Sequence, residues 1–143
     1  MNVRKKRVLF LCTGNSCRSQ MAEGFLRHFK PDHYEVFSAG SHPTGFVHHM
    51  AVEVMQEIDI DLSGHKSQPL DDFLPKDGRP NLLDLVVTVC DAAAEECPVF
   101  SSDVEKWNWS FADPAKADGT EEQKTERFRK IRDEICSKIE ACF

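Results

Sequence analysis

The stretch Arg7-Val8-Leu9-Phe10-Leu11 is a short apolar run with no polar alternation. A strand with one wet face alternates apolar and polar residues. A strand that does not alternate is covered on both faces, as in the parallel sheets of α/β proteins. Leu82-Leu83-Asp84-Leu85-Val86-Val87-Thr88-Val89 repeats the signal more strongly. The segments around these strands change period. From Cys17 to Phe29, Met21, Ala22, Phe25, Leu26 and Phe29 recur at helical spacing. Tyr34-Glu35-Val36-Phe37-Ser38 reads as another strand, closed by Ala39-Gly40. The segment from Gly45 to Ile58 reads as a second helix, with Val47, Met50, Ala51, Val54, Met55 and Ile58 facing inward.

Further along, Pro69 opens a short helix running to Leu74, and Asp77-Gly78-Arg79-Pro80-Asn81 is a turn. Asp91 to Cys97 reads as a helical turn broken by Pro98, and Val104 to Trp109 as a fourth strand. Thr120-Glu121-Glu122-Gln123 is a capping-box signature that opens a long last helix. Its inward stripe is Phe128, Ile131, Ile135, Ile139 and Cys142. The alternation predicts one α/β domain over residues 1–143: a single-domain, flavodoxin-like three-layer sandwich. Its four-stranded parallel sheet has the order 2-1-3-4, with helices on both faces. Ligands of such sheets sit beyond the carboxyl ends of the strands, where the order reverses. Cys12 follows the first strand directly and Cys90 the third. Neighbouring strands lie ~4.8 Å apart, so the topology sets two cysteines side by side at the default ligand site.

Asp and Glu number 24 against 18 Lys and Arg, a formal net charge of −6. That balance disfavours a nucleic-acid partner, and an anionic ligand would have to be bound by local donors against the field of the whole molecule. No apolar run approaches the roughly 20 residues of a membrane helix. The run after the basic start, Val8 to Cys12, is too short for a signal peptide. The expected location is therefore cytoplasmic. In that reducing compartment the six cysteines are expected to be buried side chains, metal ligands or reactive thiols rather than a disulfide scaffold.

Cys12-Thr13-Gly14-Asn15-Ser16-Cys17-Arg18-Ser19 joins the first strand to a helix amino terminus. Small residues let successive backbone N–H groups point into one concavity, a nest for a tetrahedral oxyanion. The expected oxyanion-binding residues are Thr13, Gly14, Asn15, Ser16, Cys17 and Arg18, with Arg18 adding a charge of bidentate geometry. A cysteine beside a helix amino terminus and an arginine is placed to react as a thiolate. This makes Cys12 the candidate nucleophile, with Ser19 as a hydrogen-bond donor to it. Asn15 is expected to brace the loop.

Cys-X5-Arg-Ser after a first strand resembles the low-molecular-weight protein tyrosine phosphatase superfamily. The longer segment Cys-Thr-Gly-Asn-Ser-Cys-Arg-Ser-Gln-Met-Ala-Glu-Gly, from Cys12 to Gly24, is similar to its thioredoxin-coupled arsenate reductases. The resemblance runs from the first strand to the last helix. It implies a general acid in an Asp-Pro pair, here Asp113-Pro114, and a redox segment, here Cys90-Asp91-Ala92-Ala93-Ala94-Glu95-Glu96-Cys97. It also implies the reaction: reduction of arsenate to arsenite through a covalent adduct on Cys12, a transient Cys12–Cys90 disulfide and then a Cys90–Cys97 disulfide. The last bridge would be reduced by a thioredoxin-like protein, with glutaredoxin or glutathione as other possible reductants. Seven residues of α-helix rise ~10.5 Å, whereas a disulfide needs Cα atoms within ~7 Å. The 90–97 segment is therefore expected to unwind and move outward on oxidation.

The resemblance further implies arsenate as substrate, with phosphate and sulfate as competing anions; no tightly bound cofactor, no metal and a monomer are expected. The competing readings are a phosphatase acting on aryl phosphates through Cys12, Arg18 and Asp113, and a sensor binding zinc or arsenite through Cys12, Cys90 and Cys97. In phosphatases of this fold an aromatic residue commonly follows the Asp-Pro pair, where this chain has Ala115. Zinc sites usually carry closely paired ligands such as Cys-X2-Cys, which this chain lacks. Glu23 and Ser38 match positions that help bind potassium in some of these reductases. The matching Lys66 and Gln68 argue against a potassium site, with the lysine ammonium expected in the cation's place. Cys17 is expected to be structural, and Cys136 and Cys142 to be buried small hydrophobes. His48 and His49 are expected to be solvated, His65 has no evident partner, and Trp107 and Trp109 are expected to pack near the Asp113 loop.

Overall fold

The computed structural model describes residues 5–73, 83–91 and 104–143. The first strand, β1, is Lys6–Cys12, and Val8, Leu9, Phe10 and Leu11 are fully buried. Successive residues of a strand point to opposite faces, so this burial means that both faces of β1 are covered. Helix α1 (Arg18–Phe29) follows, then β2 (Tyr34–Gly40), α2 (His49–Gln56), a 3₁₀ turn at Leu70–Phe73, β3 (Leu85–Thr88), β4 (Glu105–Asn108), a 3₁₀ turn at Pro114–Lys116, and the long helix α3 (Glu121–Cys142). The sheet order is β2-β1-β3-β4, and every neighbouring pair is parallel. This is the topology expected from the alternating pattern. Helix α1 packs on β1, β2 and α3, and α2 packs on α3. None of the described helices is long and apolar enough to cross a membrane.

Several boundaries differ from the sequence expectation for visible reasons. Helix α2 starts at His49 rather than near Gly45. The extended residue before it, His48, caps the helix by accepting the Met50 N–H on Nδ1 at 3.1 Å. Helix α1 starts at Arg18, one residue later than expected. Strand β3 begins at Leu85 because the Asp84 side chain turns to accept the Arg7 N–H at 2.8 Å. Strand β4 is an edge strand with charged, exposed positions, which blunts further pairing. The expected turn at 77–81, the end of the short helix at Leu74, and the 92–97 part of the redox segment lie outside the described residues.

The α3 capping box forms as expected: Thr120 Oγ1 accepts the Gln123 N–H, and Gln123 Oε1 accepts the Thr120 N–H. Phe128, Ile131, Ile135 and Ile139 are buried, but Cys142 is exposed. The ring of Phe143, not Cys142, continues the apolar stripe. It contacts Phe10, Tyr34, Trp107 and Trp109. Cys136 is only half-buried and lies 3.3 Å from Glu140, and partial burial with this carboxylate pushes its thiol up to about 11. Neither cysteine of α3 is therefore the fully buried hydrophobe expected. Trp109 is buried between Phe10 and Phe111, close to the Asp113 loop.

Candidate active site

The loop from Cys12 to Cys17 leaves the carboxyl end of β1 and enters α1. Its carbonyls are held from outside. Those of Cys12, Thr13, Gly14 and Ser16 accept the backbone N–H groups of Ser41, His42, Thr44 and His48, at 2.9–3.3 Å. The Asn15 carbonyl accepts Gln20 Nε2 at 3.1 Å. A peptide unit is planar and its N–H points opposite to its carbonyl. With the carbonyls turned outward, the N–H groups that follow them turn toward the inside of the loop, a concavity of the kind that can cradle an anion. Gly40 closes the arrangement. A Cβ there would lie 2.6 Å from the Thr13 carbonyl oxygen and 3.0 Å from the Asn15 Cβ, so only glycine lets β2 approach the loop this closely.

Cys12 is 2 % exposed at the bottom of the cradle. Its Sγ accepts the Asn15 N–H at 3.2 Å and lies 2.9 Å from Ser19 Oγ. The direction of the second bond follows from the neighbours. The Gln68 N–H donates to Asn15 Oδ1 at 2.9 Å, which fixes the Asn15 amide. Asn15 Nδ2 then donates to Ser19 Oγ at 2.8 Å. The hydroxyl proton of Ser19 is thereby left to point at the sulfur. Two donors thus converge on one sulfur. Asn15 is fully buried with φ +48°, and its side chain braces the loop from beneath while Thr13, Gly14, Ser16, Cys17 and Arg18 line the cavity above.

That cavity has a volume of 640 Å³, and its walls also include Cys12, Cys90, Phe111 and Asp113. Arg18 donates from one terminal nitrogen to the Phe111 carbonyl at 3.0 Å, and its other terminal nitrogen lies 3.6 Å from Asp113 Oδ2. Its Nε is buried and meets no acceptor among the described residues. Buried N–H groups are almost always paired, so this donor calls for an acceptor that the described residues do not supply. Asp113 caps the turn after it, accepting the Ala115 N–H at 3.0 Å. Cys90 is buried just beyond β3, beside the end of β1, with its Sγ 3.6 Å from Thr13 Oγ1. Burial pushes the Cys17 thiol up to about 12, with Asp113 and Cys12 adding to the effect. Cys17 is a protonated thiol at neutral pH and a poor nucleophile. Cys97 lies outside the described residues.

The sequence reading missed several supports of the cradle. Gln20 is fully buried and spans from the Asn15 carbonyl to the Lys66 carbonyl. His65, read as having no evident partner, sits 3.1 Å from Gln20 Oε1 and 3.6 Å from Glu23 Oε2. The cation at Glu23 is Arg27, at 2.8 Å, rather than Lys66, which is exposed, and Ser38 donates to the other Glu23 oxygen at 2.5 Å. His48 is a half-buried cap, stacked on His49 and tilted against Phe128, rather than a solvated side chain. Among the described residues, no group of three or more His, Cys, Asp or Glu side chains is arranged to hold a metal.

Residues 7–143 match the family described as low molecular weight phosphotyrosine protein phosphatase. An arsenate reductase of Halalkalibacterium halodurans is 47% identical over 137 residues, covering 96% of this chain and 94% of that protein. An arsenate reductase of Bacillus subtilis is 44% identical over 138 residues, covering 96% and 94%. A solved structure described as an arsenate reductase in oxidized state superposes with a TM-score of 0.78 at 30% identity, covering 95% of each chain.

Proposed function

The chain belongs to the low molecular weight phosphotyrosine protein phosphatase family, and on that premise we propose that it reduces arsenate to arsenite with cysteine electrons. The observation that carries the reading is that, besides the protonated Cys17, a further buried thiol from another strand end, Cys90, stands on the wall of the same cavity as Cys12. Hydrolysis of a phosphoenzyme has no use for it. A two-electron reduction does. The names of the relatives at 44–47% identity support the same choice of substrate.

In the proposed cycle the cradle and Arg18 hold arsenate, and Cys12 Sγ attacks arsenic. Asp113 gives a proton to the departing oxygen, which leaves as water. The Cys90 thiolate then attacks Cys12 Sγ. The S–As bond breaks, its electron pair goes to arsenic, and arsenic leaves as arsenite while the two sulfurs form a disulfide. Cys97 attacks Cys90, which frees Cys12 and leaves a Cys90–Cys97 bridge. A thioredoxin-like dithiol supplies two electrons to reopen that bridge. The balance is one arsenate and one dithiol consumed, and one arsenite, one water and one disulfide formed.

Single-turnover chemistry tests the reading. The fully reduced Cys97→Ser variant, given one equivalent of arsenate, should release one arsenite and stop with a Cys12–Cys90 bridge visible by intact mass and peptide mapping. Cys90→Ser and Cys12→Ser should release none. Arsenite release by Cys90→Ser at the wild-type rate would overturn the role of Cys90. Rapid aryl-phosphate hydrolysis without reductant, together with no arsenite, would assign the chain to the phosphatase branch instead.

A further inference from the structure

The proposed cycle uses Cys12, Arg18, Asp113, Cys90 and Cys97, yet a buried polar chain continues behind the cradle. Gln20 is fully buried on α1, and both hydrogens of its Nε2 are used: one on the Asn15 carbonyl at 3.1 Å, one on the Lys66 carbonyl at 2.9 Å. Two carbonyl acceptors at one end of the amide identify that end as nitrogen. The other end, Oε1, is therefore the atom that lies 3.1 Å from His65 Nδ1. Glu23 Oε2, another acceptor oxygen, lies 3.6 Å from Nδ1. With an acceptor as its hydrogen-bond partner, Nδ1 must carry the ring hydrogen. The His65 backbone is fixed by its N–H to the Leu62 carbonyl at 2.9 Å.

We infer that His65 is a positioning residue of the anion cradle: its Nδ1–H orients the Gln20 amide, which holds the Asn15–Ser16 peptide with its carbonyl outward and its N–H inward. The groups facing the imidazole are Glu23 and Arg27 on α1 and Asp61 on its own segment. Burial outweighs the two carboxylates and holds the ring below the ordinary histidine range. At neutral pH the neutral ring has a single hydrogen, and the geometry assigns it to Nδ1. Removing that donor leaves Gln20 Oε1 a buried acceptor with no hydrogen to accept, and the amide is then free to turn over and release Asn15.

The inference rests on the cradle's role in the proposed function, and its test is readable without turnover. The probe is inorganic phosphate, measured by its protection of Cys12 against iodoacetamide in the reduced full-length protein. His65→Leu removes the donor. His65→Asn places an amide nitrogen near the Nδ1 position. His65→Leu should weaken phosphate protection about tenfold, and His65→Asn should bring it back to within about threefold of wild type. Wild-type phosphate affinity in His65→Leu would overturn the proposal, as would a folded His65→Asn no better than His65→Leu. If His65→Leu fails to fold, the wild-type protein decides: nitrogen-15 NMR should show the Nδ1–H tautomer at neutral pH, and an Nε2–H tautomer would overturn it. Separation of the two variants by phosphate protection, in a protein that makes no arsenite, would uphold the cradle assignment while rejecting the reductase reading.

Discussion

Asn15 concentrates three contributions in one residue, and replacing it separates them. In Asn15→Ala the backbone at φ +48° loses a residue that tolerates the left-handed region, at a cost of about 1 kcal/mol. Gln68 N–H loses its acceptor, Asn15 Oδ1 at 2.9 Å, at about 2 kcal/mol for a donor left unpaired out of solvent. The bond from Nδ2 to Ser19 Oγ at 2.8 Å contributes about 1 kcal/mol more. The sum is about 4 kcal/mol. At ~3 °C per kcal/mol for a chain of this size, thermal unfolding of the reduced protein should fall by about 12 °C. Asn15→Gly restores the backbone freedom and keeps both hydrogen-bond losses, so its midpoint should lie about 3 °C above that of the alanine variant. A double-mutant cycle with Ser19→Ala should return a coupling of about 1 kcal/mol. The reasoning is refuted if Asn15→Ala shifts the midpoint by less than about 3 °C, or if the glycine variant is no more stable than the alanine one.

Ser19→Ala deletes the hydroxyl proton aimed at Cys12 Sγ, and alkylation of Cys12 at neutral pH should slow about tenfold in a protein whose circular dichroism is unchanged. Gly40→Ala drives a methyl group to 2.6 Å from the Thr13 carbonyl. It should destabilise by about 2–3 kcal/mol in urea unfolding and weaken phosphate protection of Cys12, whereas wild-type values for both would contradict the close packing of β2 on the loop. His48 gives a pH dependence whose sign is set by its folded state: burial, with His49 beside it, holds it below 6.5, the value of an unperturbed histidine. The stabilisation is therefore complete above pH 6.5 and is lost as pH falls through the lower folded value, since a protonated Nδ1 cannot accept the Met50 N–H. His48→Asn keeps a capping acceptor that does not titrate, so stability measured from about pH 7.5 to 5 should fall less in this variant than in wild type.

How much of this could be read beforehand depended on how far apart in the chain the partners lie. Strand β1 was legible because an unbroken apolar run has few other destinations, and the loop that follows it was legible because Cys12 and Arg18 bracket small residues between a strand and a helix. The neighbouring positions of Cys12 and Cys90 followed from strand order alone. The supports were not legible. Gln68 reaches Asn15 across 53 residues and His65 reaches Gln20 across 45, and no local pattern announces either pairing. The start of α2 was missed because a histidine is not among the usual capping residues. Cys142 was misplaced because the helical period does not say whether it or the adjacent Phe143 turns inward at the end of α3. The aromatic cluster around Phe10 decides that.

The loop whose carbonyls are all tied down has a consequence for selectivity under the proposed reaction. A receptor set at folding cannot rearrange to prefer one tetrahedral guest over another of nearly the same size and charge. Phosphate should enter and leave as readily as the true substrate, and a cell rich in phosphate would keep the enzyme largely occupied by an inert visitor. Commitment must then come after capture, at the one step an inert visitor cannot follow, because phosphorus does not take the electron pair that arsenic accepts when the two sulfurs join.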